Sequence, residues 1–321
     1  MTVPLRLWSD EVEEMRAEAR AAVDAAIEMF SGLDVKSSDL SRDERVRLQR
    51  AAMPSVPAPE AIEGTIDGVR CRMFLPSGTR APRAVYLHFH GGGMVTGSPE
   101  TMDIPNRELA RDFGVVVLSP DYRKAPEYPY PAGPDDALTV ASWLIEHAGD
   151  ELGTDRVCIG GESAGGYLAA LVALRLRDSM PGAIDRIIGL NLVFGVYDWG
   201  HTPSQRGLRP HDGPDLLDPE AIEFVTECYL PGLTPEERRA PDISPAYADL
   251  HGLPPMFLSV GTGDHLLDDT LLLAARAAAS GNRVELFVAP DMPHGFFAFP
   301  CAMSKLWAEH LNRWLEQVIS A

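Results

Sequence analysis

The stretch RVCIGGESAGG, Arg156–Gly166, decides the fold. Its first half is a short apolar run of the kind that forms a buried strand, and its second half opens a helical pattern over Ser163–Arg177. Between them, Gly161-Glu162-Ser163-Ala164-Gly165 matches G-x-S-x-G. A serine on so sharp a strand-to-helix turn must take up strained dihedrals. Small neighbours relieve the crowding and leave the hydroxyl exposed, and the helix N-terminus favours negative charge beside it. G-x-S-x-G also recurs by chance, and the bland alternative is a glycine-rich turn with a capping serine. The strand before it and the helix after it favour Ser163 as a nucleophile.

Outward from this stretch, short apolar runs alternate with helical patterns. Strands are expected at Thr65–Phe74, Ala84–Phe89, Val115–Ser119, Arg156–Gly160, Ile187–Val193, Met256–Val260 and Val284–Ala289. Helical patterns occupy Asn106–Phe113, Pro134–His147, Ser163–Arg177, Leu271–Ser280 and Met303–Ile319. Such alternation argues for an α/β fold, with a mostly parallel central sheet flanked by helices on both faces. An amphipathic helix should start at Ser9 and run to about Phe30, with Val12, Met15, Ala19, Val23, Ile27 and Phe30 on its apolar face. The polar, proline-bearing residues 31–60 read as loop plus a short helix. Residues 197–250 break the rhythm with prolines, charges and short helical fragments, and read as an insertion. The expected division is therefore 1–50 as N-terminal cap helices, 51–196 as the first part of the core, 197–250 as a cap insertion and 251–321 as the last part of the core. Leu5, Leu7 and Trp8 either pack on the core or help line a pocket.

A nucleophilic serine needs a base, and the base an orienting carboxylate. In chain order Ser, acid, His, the best base is His294, in Met292-Pro293-His294-Gly295-Phe296 just past the Val284–Ala289 strand. His310 lies in a helical pattern and reads as structural. The best acid is Asp264, in Gly261-Thr262-Gly263-Asp264 after the Met256–Val260 strand, whereas Asp268 and Asp269 suit the first turn of a helix. His90-Gly91-Gly92-Gly93 follows the Ala84–Phe89 strand. Its glycines let backbone N–H groups approach a developing oxyanion, with the N–H of Ala164 as the partner donor. No Lys-Ser/Thr follows the glycines, so a nucleotide loop is disfavoured. His88 and His90 suggest a metal pair only in isolation, because no third ligand is nearby. No metal and no cofactor are expected.

The 321-residue chain is 45% hydrophobic, enough to bury a sizeable core. Its formal charge of -19, spread along the chain, speaks against nucleic acid or an anionic bilayer as a partner. The four cysteines are widely separated and read as reduced thiols. The acidic start does not read as a signal peptide, and no apolar run is long enough to span a bilayer, so a cytoplasmic location is expected.

These motifs together resemble the hormone-sensitive-lipase-like family of bacterial esterases, from about Thr65 to the C-terminus. The resemblance rests on His90–Gly93, Asp121–Glu127 (DYRKAPE), Tyr130-Pro131-Ala132, Asp135-Asp136-Ala137, Gly161–Gly166 (GESAGG), Asp242–Pro245 (DISP), Gly261-x-x-Asp264-x-Leu266-x-Asp268 and Met292–Phe296. It implies an α/β-hydrolase fold with a helical cap and a Ser163–His294–Asp264 triad. It implies an oxyanion hole from the N–H groups of Gly91, Gly92 and Ala164, and cofactor-free hydrolysis of small-molecule esters with short- to medium-chain acyl groups. Dimers are frequent in that family, so a homodimer is also an expectation. Four positions depart from the family's habit: Glu162 for Asp or Thr, His265 for Pro, Asp291 for Gly, and Met94 for an aromatic residue. The alternatives are an amidase or lactonase using the same triad, or a ligand-binding protein on the same fold.

Overall fold

The computed structural model describes residues 6–30, 40–53, 55–78, 81–208 and 217–321. Eight strands form one sheet: β1 Ile62–Ile66, β2 Val69–Phe74, β3 Val85–Phe89, β4 Val116–Pro120, β5 Val157–Glu162, β6 Ile187–Val193, β7 Met256–Gly261 and β8 Val284–Ala289. Their spatial order is β1-β2-β4-β3-β5-β6-β7-β8. The first two pairings, β1 with β2 and β2 with β4, are antiparallel, and all the others are parallel.

One expectation fails here. Thr65–Phe74 is not a single strand but the end of β1, a two-residue turn at Asp67-Gly68, and β2. Asp67 and Gly68 both have positive φ, 45° and 88°, as a hairpin turn that matches strand twist requires. The other strands form close to where their apolar runs predict.

Side chains alternate between the two faces of the sheet with period two. Val85, Leu87 and Phe89 of β3 join a core that includes Val140 and Leu144 of α5 (Ala132–Leu152), Leu168 and Leu171 of α6 (Ala164–Ser179), and Leu273 of α8 (Leu267–Ala279). Tyr86 of the same strand faces the opposite core, with Ala110 of α4 (Asp103–Phe113) and Trp314 and Val318 of α9 (Ala302–Ser320). Central strands buried on both faces explain why β3, β4 and β7 read as largely apolar runs rather than alternations. Helix α5 outruns its predicted limits because Pro134 falls in the first turn, where a missing N–H costs nothing. The helix stops only at Gly153, at φ 78°.

The N-terminal pattern forms α1 (Asp10–Glu14), capped by the Ser9 side chain, and α2 (Arg16–Phe30) after a break at Met15. Val12, Ala19 and Val23 are buried in the α9-side core, with Leu7 and Trp8 packed against it. Leu5 and the side chains of Ile27 and Phe30 lie outside the described residues. Helix α3 (Arg42–Ala52) begins with a capping box, Ser41 with Glu44. It packs against α7 (Pro219–Tyr229), where Arg45 lies 4.1 Å over the Phe224 ring and bonds Glu220 at 2.9 Å. Among the described residues of 197–250 there is α7, three short 3-10 turns and no strand. No helix among the described residues is long and apolar enough to cross a membrane.

Candidate active site

From β3 the chain moves to β4 on one side, and β5 forms on the other. The sheet order therefore reverses at β3/β5, and a crevice opens beyond the carboxyl ends of these strands. His90–Gly93 leaves the end of β3, Ser163 the end of β5, Asp264 follows β7 and His294 follows β8.

Ser163 has φ 56° and ψ -119°, a conformation costing an L-residue about 1–2 kcal/mol. Its N–H donates to Val193 O of β6 at 2.9 Å, which holds the turn against the sheet. The flanking glycines are required by close approach of the neighbouring strand. A Cβ at Gly161 would lie 2.2 Å from Phe89 O, and one at Gly165 only 1.8 Å from it.

The structure brings the three candidate side chains into one chain of contacts. His294 Nε2 lies 3.1 Å from Ser163 Oγ, and His294 Nδ1 lies 2.8 Å from Asp264 Oδ2. Asp264 is buried, and its other oxygen accepts the N–H of Leu266 at 2.8 Å. Both carboxylate oxygens are thus committed. Because the carboxylate only accepts, Nδ1 carries the proton and the Nε2 lone pair faces Ser163. The Phe194 ring stands edge-on to the imidazole at 4.6 Å and limits its tilt.

The glycine loop borders the serine. A Cβ at Gly91 would lie 3.1 Å from Glu162 O and 3.5 Å from Ser163 Cβ. Gly92, at φ 123°, turns the loop, and its carbonyl accepts from the N–H groups of Val95 and Thr96. Among the described residues, no backbone carbonyl outside regular elements accepts from the N–H of Gly91, Gly92 or Ala164. Val225 of α7 lies directly over Gly93. His90 braces this loop rather than facing the serine. Its Nδ1 lies 2.7 Å from Gly91 O, Tyr122 stacks on its ring at 4.4 Å, and the Tyr122 hydroxyl donates to His90 O. Burial pushes the His90 imidazole down to about 3, so it is neutral at physiological pH.

His88 points elsewhere. Its Nδ1 accepts from Asn106 Nδ2 at 3.3 Å, and its Nε2–H donates to Glu162 at 3.0 Å. Among the described residues no group of His, Cys, Asp or Glu is arranged to hold a metal ion. All four cysteines are buried, free thiols.

Several supporting residues stand out in the sequence, but the groups they bind do not. His265 Nδ1 donates to Ser204 O at 2.8 Å, and Ser204 Oγ donates back to His265 O, which ties the Asp264 loop to the segment after β6. Asp269 does lie in the first turn of α8, but it is fully buried. It accepts from the N–H groups of Tyr197 and Asp198 and from Gln205 Nε2. Met94, at φ 63°, is buried, as a flexible thioether filling core space. Asp291, at φ 60°, receives a two-pronged contact from Arg16 of α2, 2.7 Å from Nε and 3.0 Å from Nη2. Asp291 stands where the resembled family usually has Gly, but nothing local in the sequence points to a partner 275 positions away.

Residues 86–298 match the model of a family described by its alpha/beta hydrolase fold. The chain belongs to the α/β-hydrolase family. The carboxylesterase NlhH of Mycobacterium tuberculosis is 33% identical over 301 residues, covering 88% of this chain and 91% of that protein. An acetyl esterase of Salmonella paratyphi B is 29% identical, covering 80% of this chain and 79% of its own length. A crystal structure of a hormone-sensitive lipase from a metagenome library superposes with a TM-score of 0.75 at 30% identity, over 97% of each chain. Within the α/β-hydrolase family, these likenesses put the chain with the hormone-sensitive-lipase-like esterases that its motifs resemble.

Proposed function

We propose that this α/β-hydrolase is a serine carboxylesterase that cleaves short- to medium-chain acyl esters. The observation that carries the reading is the Ser163 Oγ–His294–Asp264 contact chain beside the glycine loop. His294 Nε2 takes the Ser163 proton as Oγ attacks the ester carbonyl. The N–H groups of Gly91, Gly92 and Ala164 receive the oxyanion as it forms. His294 returns the proton to the departing alcohol, leaving an acyl-Ser163 ester. A water molecule then gives His294 a proton and attacks that ester, releasing the acid and restoring Ser163. Asp264 holds the imidazole tautomer and stabilises its transient charge without taking the proton.

Residues 1–50 and 197–250 are read as a cap, supported by the α3–α7 contact and by Val225 over Gly93. The acetyl esterase among the relatives supports a short acyl group. Four free, buried thiols suit a reducing cytoplasm, where we place the enzyme. A homodimer is the family expectation, checked by light scattering. The deciding experiment is hydrolysis of p-nitrophenyl acetate, butyrate, octanoate and palmitate by wild type and Ser163→Ala. Turnover of the short esters should fall by roughly 10⁵- to 10⁶-fold in the variant. A folded wild type inert on all four esters would overturn the reading.

A further inference from the structure

We propose that Arg16 of α2 is a positioning residue for His294, acting through Asp291. The inference rests on the triad reading above. Asp291 lies three residues before His294 and holds φ 60°, a conformation that glycine would adopt freely. Asp is among the few non-glycine residues that enter this region, and here its carboxylate takes two parallel bonds from the Arg16 guanidinium. Asp291 is largely buried, and only about a third of the Arg16 side chain is exposed, so water screens the pair incompletely. Glu13 of α1 also accepts from Arg16, at 3.2 Å, and steadies the fork.

The loop that Arg16 grips is laced to the loop of the acid. The N–H of Asp291 donates to Thr262 Oγ1 at 2.7 Å, and the N–H of Gly263 donates to Met292 O at 2.9 Å. A Cβ at Gly261 would lie 1.9 Å from Met292 O, so these two loops touch backbone to backbone. Asp264 follows one side of this seam and His294 the other. Fixing Asp291 therefore fixes the register of the imidazole against its carboxylate and against Ser163. Helix α2 itself is anchored on the core by Ala19 and Val23, and α1 before it by Val12, so the grip comes from a rigid element.

The test is steady-state kinetics on p-nitrophenyl butyrate with wild type, Ser163→Ala, Arg16→Met, Arg16→Lys, Asp291→Gly and the Arg16→Met/Asp291→Gly pair. Melting temperature is recorded for each. Misplacement of the base should lower kcat by on the order of tenfold in Arg16→Met, with KM within about twofold of wild type. Arg16→Lys should recover only part of that loss, because a point charge cannot replace the fork. The double variant should be no worse than the poorer single one. A folded Arg16→Met or Arg16→Lys enzyme with wild-type kcat, or losses that multiply in the double variant, would overturn the proposal, even if melting temperatures fall. Should Arg16→Met fail to fold, Arg16→Lys and Asp291→Gly decide by the same kcat criterion. Ser163→Ala separates the two readings: full activity there refutes the triad itself. An inert Ser163→Ala beside an unaffected Arg16→Met refutes only the role of Arg16.

Discussion

Replacing Asp264 by Asn changes one atom and, by the geometry of this site, should nearly abolish turnover. In the native enzyme one carboxylate oxygen accepts the Leu266 N–H at 2.8 Å and the other accepts His294 Nδ1–H at 2.8 Å. An amide has a single oxygen. If that oxygen keeps the Leu266 bond, the NH₂ group faces Nδ1, which must then become an acceptor, and the proton moves to Nε2. A protonated Nε2 facing Ser163 Oγ at 3.1 Å cannot take the serine proton. The opposite rotamer restores the tautomer but sets two donors against each other at Leu266 and leaves a buried N–H unsatisfied. That costs about 1–3 kcal/mol, which holds the productive form to roughly a tenth or a hundredth of the population. Even that form lacks the negative charge that stabilises the imidazolium. Together these losses amount to on the order of 10⁴-fold in kcat, or about 5 kcal/mol of transition-state stabilisation. The assay is kcat on p-nitrophenyl butyrate beside circular dichroism, with Asp264→Ala as comparison. The isosteric Asn should be no better than Ala. A folded Asp264→Asn enzyme within about tenfold of wild type would refute the tautomer argument.

Three further outcomes follow from the geometry. Gly165→Ala would put a Cβ 1.8 Å from the backbone carbonyl oxygen of Phe89, which cannot move aside as a flexible side chain could. It should lower the unfolding free energy by about 3 kcal/mol and remove activity, and an active variant with an unchanged urea midpoint would contradict this. Ser163→Gly should be more stable than Ser163→Ala by about 1 kcal/mol, because only glycine adopts φ 56°, ψ -119° without strain, and urea melts of the two variants compare them directly. His90, held down to about 3 by burial against an ordinary 6.5, should remain neutral in the folded enzyme as pH falls from 7 to 5. The unfolded chain binds a proton in that window that the native chain refuses. The stability this group contributes is therefore complete above 6.5 and is lost toward 3, at about 1.4 kcal/mol per pH unit. An NMR titration of the His90 ring with a midpoint above 5 would contradict its burial.

Much of the architecture was legible because it is written in local patterns. Short, largely apolar runs on β3, β5 and β7, separated by helical periodicity, need no knowledge of distant partners to be recognised. The hairpin at Asp67-Gly68 is equally local, since an Asp-Gly pair between two strand-like runs favours a tight turn over one continuous strand across Thr65–Phe74. The candidates Ser163, Asp264 and His294 follow from the G-x-S-x-G motif, from the chain order serine, acid, histidine and from a place just beyond the carboxyl end of a strand.

The sequence by itself determined the strand-and-helix alternation, the glycines around Ser163 and the order serine, acid, histidine. These depend on backbone sterics and on neighbours a few positions away. Only the tertiary structure decided that Phe89 is what makes Gly161 and Gly165 obligatory, that Asp269 anchors the segment after β6, and that Arg16 reaches Asp291. Each of these pairings joins surfaces brought together by packing of the sheet and its helices. A residue's own neighbourhood carries no trace of a partner that only the packed core delivers.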